Sequence, residues 1–528
     1  MKTMLERGAG LLMPISSLPS PYGIGTFGKA AYDFVDTLKK GRQMYWQVLP
    51  MGPTSYGDSP YQSYSAFAGN PYFIDLDMLK EEHLLTQEEI NSCFWGEDAS
   101  KVSYDAIYYY RYPLLRKAYE KSAHKDTEEY KAFCEEQKGW LYDYALYMAC
   151  KMHFEYQSWL SWPEDIRRRK PEALKKYGEQ LKDDIDYWMF MQFKFFSQWK
   201  KLRAYAHEND IRIIGDIPIY LAMDSADVWT HTELFQLDEV NLTPVNVAGV
   251  PPDAFSDDGQ LWGNPLYDWD YIEKTDFAWW KERMKASAKL YDVIRIDHFI
   301  GVVQYYAIPY GAKDGKTGKW HKGPGKKLTD AINSVIGDAK IIAEDLGVEC
   351  PEAKELLAET GYPGMKVMEF GFGGDRFNEH LPHMYEPNLV VYGGTHDNET
   401  LVGFFNESHR EWWELQFIAD YLEAKHKDEV VYRVFRALYA SCASVAIFQV
   451  QDLLKLGNSA RMNAPSTLGG NWRWRMKPNQ IQQGEIDMLC YLVDTFGRFP
   501  DERKRKKAEE AKAKEAEKSE AETEQEIK

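Results

Sequence analysis

The sequence predicts an α/β fold, a (β/α)8 barrel with large, mainly helical insertions after strands two and three. Three observations carry that prediction. Eight short segments rich in Val, Ile, Leu and aromatic residues recur along the chain, most followed by turn residues. Helical spacing fills most of the gaps between them, the alternation that builds a parallel sheet. Several segments end in a carboxylate or an imidazole, at the end where barrel enzymes carry their chemistry.

Taken in order, GLLMPISSL (10–18) is the first apolar run, and 19–28 is a Pro- and Gly-rich loop. Helical spacing follows at 30–40, and YWQVLP (45–50) is the second strand. The stretch 53–71 is polar, punctuated by Gly and Pro, and carries several tyrosines. A loop after a barrel strand is placed to build a site, so its hydroxyls and ring faces suit a polyhydroxylated ligand; a tyrosine-rich loop packed for structure alone is the alternative. From 76 to 209 the pattern is helical, with a long charged and aromatic helix at 183–207. IRIIGDIPIY (211–220) is strand three, with Asp216 near its end. Residues 222–280 have little regular periodicity, and 246–265 is expected to be a long loop, which in a compact domain is functional or disordered. Phe255 and Trp262 within it predict an ordered lid with aromatic contacts.

YDVIRIDHF (291–299) supplies strand four at 293–296. Strand five is 340–347, strand six 365–370, strand seven 389–398 and strand eight 445–454, with helical runs at 351–360 and 406–439. A minimal barrel of this kind needs roughly 250 residues, so the surplus falls in insertions. The expected organisation is one catalytic unit over 1–500, with insertions at about 53–209 and 222–290. The remainder, 501–528, is a Lys/Glu/Ala tract without apolar anchors, expected to be a solvated helix or a disordered tail with no catalytic part.

Composition narrows the function. The chain has 528 residues, 44% hydrophobic and 15% aromatic, enough for a core of ordinary size. A formal net charge of −18 disfavours nucleic acid and anionic membranes as partners and is compatible with a neutral ligand. The six cysteines lack CxxC spacing, which argues against a disulfide framework and a zinc site. The first residues lack an apolar signal core and no run reaches transmembrane length, so a reducing cytoplasm is expected.

The chemistry is sought at the strand ends. Arg295 lies two residues before Asp297, so period-two alternation points both to one side of strand four. A guanidinium beside a carboxylate keeps it ionised and fixes its rotamer, as a nucleophile requires. From this stretch alone, a structural Arg–Asp pair capping the strand is an equal alternative. Glu344 and Asp397 alter the balance, because they stand at the ends of strands five and seven, with His298 and His396 nearby. Clustered carboxylates repel one another, which a purely structural reading must explain. A Mg²⁺ or Ca²⁺ site would explain it, but no Asp-rich loop with metal spacing accompanies them, so neither metal nor cofactor is expected. Paired acids suit glycosidic bonds, where retaining enzymes hold them about 5–5.5 Å apart. Adjacent strands about 4.8 Å apart can bring two acids near that spacing.

At these motifs the sequence closely resembles the amylomaltases, the 4-alpha-glucanotransferases of the α-amylase clan. The matching segments are RIDHF (295–299), AEDLG (343–347), THDN (395–398), GDIPIY (215–220), SPYQSYSAFAGNP (59–71), GVPPDAFSDDGQLWGNPLY (249–267) and ARMNAPSTLGGNWRWR (460–475). The resemblance runs from Gly10 to about Phe499, and the chain starts almost at strand one, so no N-terminal carbohydrate-binding module is expected. It implies that Asp297 is the nucleophile, Glu344 the acid/base and Asp397 the transition-state stabiliser. It implies substrate-orienting roles for Arg295 and His396, and substrate contacts for Asp216, Ser59, Tyr61, Trp262 and Asn463; His298 joins them as a neighbour of the nucleophile. The expected partners are an α-1,4-glucan donor and acceptor, with no protein partner implied. An α-glucan hydrolase, or a non-catalytic glycan-binding protein on the same fold, are the alternatives.

Overall fold

The structure is a computed structural model that describes residues 5–55, 57–252, 257–467 and 469–499. The expectations for Phe255 and for the charged tail lie outside those residues. Eight strands form one parallel sheet: β1 (Gly8–Leu12), β2 (Tyr45–Gln47), β3 (Arg212–Pro218), β4 (Val293–Asp297), β5 (Lys340–Ala343), β6 (Gly364–Val367), β7 (Leu389–Tyr392) and β8 (Val445–Gln449). Their order is β6-β7-β8-β1-β2-β3-β4-β5. The ring closes between β5 and β6, where the Ala343 N–H donates to the Pro363 carbonyl at 3.0 Å. Asp345 reinforces that seam by accepting the Met365 N–H at 2.7 Å.

Alternation divides each strand between two cores. Leu12, Tyr45, Ile214, Val293, Ile342, Val390, Tyr392 and Ile447 form one buried cluster, consistent with the packed barrel interior. Leu11, Trp46, Ile213, Ile294, Ile341, Val391 and Phe448 join the large core beneath the helices. Both faces are thus apolar, which is why the strands read as short continuous runs. Among the glycines of the barrel strands, Gly215 is the most closely packed: a Cβ there would stand 2.1 Å from the Tyr291 ring.

The first insertion is helical as expected, ending in a helix at Lys182–Glu208 that returns to β3. That helix also anchors the tyrosine-rich loop. Gln192 accepts the Gly69 N–H at 2.7 Å and donates to the Gly69 carbonyl at 2.9 Å.

The second insertion differs from expectation. Asn246–Val250 and Gln260–Pro265 are antiparallel strands, not a loop. They join Gln304–Pro309 and Lys319–Lys322, which follow β4, in a four-stranded sheet. The extra strands at 304–322 were not anticipated. Asn246–Val250 takes Gln304–Pro309 as a partner, with Ala248 opposite Ala307, so the pairing is long-range and leaves little local periodicity. The terminal segments of strands five, six, seven and eight also stop short of the predicted ends. The residues beyond them turn into loops and short helices that carry the polar groups of the barrel mouth.

Candidate active site

The floor of the mouth is a buried charge network on β3 and β4. These strands pair with Asp216 opposite Arg295, so alternation turns both, and Asp297 two residues on, to one side. Arg295 is 3% exposed and its Nη1 donates to both Asp216 oxygens at 2.7 Å. Its Nη2 lies 3.1 Å from Asp297 Oδ1. Asp216 also accepts the Tyr61 hydroxyl at 2.8 Å, and that hydroxyl lies 2.8 Å from His396 Nε2. The Tyr61 proton is committed to the carboxylate, so His396 donates from Nε2 to the phenolic oxygen. Burial lowers the His396 pKa, and its Nδ1 has no partner, both consistent with a neutral ring. Tyr61 and His396 stack with centroids 5.2 Å apart and planes 11° from parallel.

Glu344 stands just past the end of β5, beside β4 in the sheet. Its Oε2 accepts the His298 N–H at 2.7 Å and its Oε1 accepts the Leu346 N–H at 2.8 Å. The His298 backbone is left-handed, φ 53°, directly after Asp297, and this turn aims its N–H at Glu344. Burial pushes the Glu344 carboxyl up to about 7; Arg295 and the two N–H donors oppose burial without outweighing it. Burial also pushes the Asp297 carboxyl upward, Arg295 pulls it back, and Asp216, Glu344 and Asp397 add to the rise. The His298 ring, held to about 4 by burial, is neutral and lies edge-on to Trp262 at 4.8 Å.

Asp397 arrives differently, on the loop after β7. Its Oδ1 accepts the Asn463 Nδ2 donor at 2.6 Å, and His396 Nε2 lies 3.4 Å from its Oδ2. Its side chain is 40% exposed, the most open of the three acids' environments and the one best placed to meet a ligand hydroxyl.

A cleft of about 640 Å³ opens above this network. Asp297, Glu344, Asp397, Arg295, Ser59, Tyr61, Trp262, His298 and Asn463 all line it. Asp216 and His396 do not; they lie behind its wall, each 1% exposed, where they hold Arg295 and Tyr61. Trp262 is on the outer antiparallel strand and is tied to the loop of β2, since Gln62 Nε2 donates to Asn264 Oδ1 at 3.1 Å. A larger cleft of about 1160 Å³, between the helical insertion and the helix Ala278–Leu290, contains none of these residues.

Sequence reasoning missed several groups. Trp320 lines the cleft from the unanticipated strand after β4, so no barrel motif marks it. Gln62 lies one residue beyond Tyr61 and could have been found in the same loop. Arg461 donates to the backbone beneath Asp397, and its only sequence signal is its place two residues before Asn463. Among the described residues, no group of three or more His, Cys, Asp or Glu is placed to hold a metal ion.

Fold and site define an enzyme of the (β/α)8 barrel class, with three carboxylates lining a cleft at the C-terminal face of the barrel. Residues 13–481 match the 4-alpha-glucanotransferase family, glycoside hydrolase family 77, and the chain belongs to it. It is 50% identical over 486 residues to the 4-alpha-glucanotransferase of Clostridium butyricum, covering 92% of this chain and all of that protein. The Thermus thermophilus 4-alpha-glucanotransferase is 43% identical, covering 90% of this chain and 96% of its own. Among solved structures, the amylomaltase from Streptococcus agalactiae in complex with acarbose superposes with a TM-score of 0.90 at 41% identity, over 94% of this chain and all of that one. The Corynebacterium glutamicum amylomaltase, 16% identical with a TM-score of 0.76 over 92% of this chain and 74% of its own, shares the fold.

Proposed function

We propose that the chain transfers an α-1,4-glucan segment from a maltodextrin donor to the 4-hydroxyl of an acceptor glucan or glucose, with retention of configuration. The observation that carries this reading is the pair of acids on neighbouring strand ends with unequal surroundings. Burial raises both carboxyls, Glu344 to about 7, but it is Asp297 that is in direct ion contact with Arg295, at 3.1 Å. Where the two share one proton, it belongs on Glu344, because the guanidinium favours the anion on Asp297.

Glu344 then protonates the bridging oxygen as Asp297 attacks the anomeric carbon. The C–O bond to the leaving glucan breaks and a glycosyl–Asp297 ester forms. Each Glu344 oxygen has a second lone pair beyond its N–H contact, so a proton can face the cleft. Positive charge at the ring is met by Asp397, which Asn463 orients. Glu344, now ionised, takes the proton of the acceptor 4-hydroxyl, which attacks the ester and regenerates Asp297.

Three acids alone do not distinguish transfer from hydrolysis. Transfer is favoured by the wall of Trp262 and Trp320 on the antiparallel sheet, which shields the intermediate from water and offers ring faces to an acceptor sugar. A cytoplasmic location fits the cysteines, all six of them free. No helix among the described residues is long and apolar enough to cross a membrane.

The experiment is incubation with pure maltotriose. Glucose with a ladder of longer maltodextrins, at constant reducing ends, is the expected result. Rising reducing ends with only glucose and maltose would make the protein a hydrolase. Binding without turnover would leave only a glycan-binding role.

A further inference from the structure

Asp397 is the one acid of the three that no strand end delivers directly; it follows Tyr392, the last residue of β7, by five positions. Something else must fix it. The segment after β8 does so with three hydrogen bonds, and a fourth within the segment braces them. The Asn463 N–H donates to the His396 carbonyl at 3.1 Å, and Asn463 Nδ2 donates to Asp397 Oδ1 at 2.6 Å. Arg461 closes the circuit: its Nη2 donates to the Asp397 carbonyl at 2.7 Å and its Nε to the Asn463 carbonyl at 2.7 Å. Arg461 does not line the cleft, so it has no direct contact to offer a sugar bound there.

We propose that Arg461 is a positioning residue for the reaction, a guanidinium clamp that fixes Asp397 and Asn463 relative to each other. The inference rests on the role given to Asp397 above. The geometry explains why arginine stands here. One planar group reaches two backbone oxygens from two different nitrogens, which a single ammonium on a flexible stem does not reproduce. With Arg461 bound, the Asn463 side chain and the Asp397 carboxylate are parts of one closed ring of contacts. Without it, Asn463 alone hydrogen-bonds His396 and Asp397 from that segment, and the remaining ties, such as Asn458 to Glu399 at 2.6 Å and the Trp472 ring against His396, do not touch Asp397. A displacement of about 1 Å in a catalytic group costs on the order of 100-fold in rate. Such a loss belongs to kcat, because the clamp shapes a contact that strengthens as charge develops, not the ground-state hold on the glucan.

The test is a double-mutant cycle of Arg461→Ala with Asp397→Asn, read with a maltotriosyl fluoride donor so that slow variants stay measurable. Thermal unfolding is recorded for each protein. Arg461→Ala alone is expected to lower kcat about 100-fold with KM within about threefold. Arg461→Lys should recover part of that loss. In the Asp397→Asn background, where no carboxylate remains to be aimed, Arg461→Ala should cost less than about threefold. A full loss in that background would overturn the clamp and leave the role of Asp397 standing. Full activity of Asp397→Asn alone would overturn the role of Asp397 and the clamp with it. If Arg461→Ala does not fold, the same cycle is run with Arg461→Lys, which keeps the charge and loses the two-way grip; additivity there overturns the proposal.

Discussion

The two sides of the barrel mouth hold their acids by different means. On the β3–β5 side, Arg295 and Asp297 belong to a strand, Glu344 directly follows one, and Asp216 pairs with Arg295 across the ladder. Backbone hydrogen bonds of the sheet set those positions before any side chain contributes. On the β7–β8 side, Asp397 is on a loop, and its place depends on Asn463 and Arg461 from a segment 64 or more residues further along the chain. The difference teaches that one site can combine acids fixed by secondary structure with an acid fixed by tertiary clamping. The strand side should therefore be sensitive to the identity of its charged groups and tolerant of loop changes. The loop side should respond to changes that touch no substrate.

The strand side should break most severely at Asp297, the proposed nucleophile. Asp297→Asn is expected to lower kcat by at least about 10⁴-fold with the fold intact by circular dichroism, since no ester can form. Substantial turnover by that purified variant would remove Asp297 from the role. Glu344→Gln should cost about 10²–10⁴-fold on maltotriose, the range for losing a general acid. Much of that loss should vanish for the first half-reaction of a glycosyl fluoride, whose leaving group needs little protonation; an equal loss on both donors would contradict the acid role.

A pH profile sharpens the same side of the comparison. In the proposed mechanism the active form has Glu344 protonated, and burial raises its pKa to about 7. Protonated acid is therefore present below about 7 and lost above it, so kcat/KM should fall about tenfold per pH unit on the alkaline limb. A profile flat from pH 6 to 9 would show that the acid is elsewhere.

Tyr61→Phe tests the seam between the two sides, because its hydroxyl links Asp216 to His396. Removing it leaves a buried acceptor and a buried donor short of a partner, expected to cost about 1–3 kcal/mol of stability and about tenfold in kcat. Denaturant unfolding and steady-state kinetics check both. The smallest expected effect on total rate comes from Trp262→Ala. It should change overall turnover a few-fold and raise the hydrolysed share of products, read as new reducing ends from maltotriose; an unchanged share would remove Trp262 from water exclusion.

Much of the strand side was legible in the sequence. RIDHF shows its own geometry, because period two is a local property and places Arg295 with Asp297 without knowledge of any other segment. The loop side was legible only as residue types: THDN showed a carboxylate and an imidazole, and ARMN showed an arginine and an asparagine, with nothing to join them. Asp216 illustrates the limit within a correctly placed strand. The resemblance implied a substrate contact for it; in the structure it is 1% exposed, does not line the cleft, and is held by Arg295 and Tyr61. The antiparallel sheet was hidden for a related reason, since Gly249 and Ala248 in one strand find Tyr306 and Ala307 in another across an entire barrel unit.

The sequence by itself determined the barrel, where its eight strands begin, and the acids Asp297 and Glu344 at two of the strand ends. Those follow from local periodicity and from which residues end each run, information carried within a few neighbours. Only the tertiary structure decided which polar groups face the cleft and which support it from behind, how the Trp262 strand is built, and what holds Asp397 in place. Those depend on pairings between segments far apart in the chain, whose register is set by packing and by burial of charge.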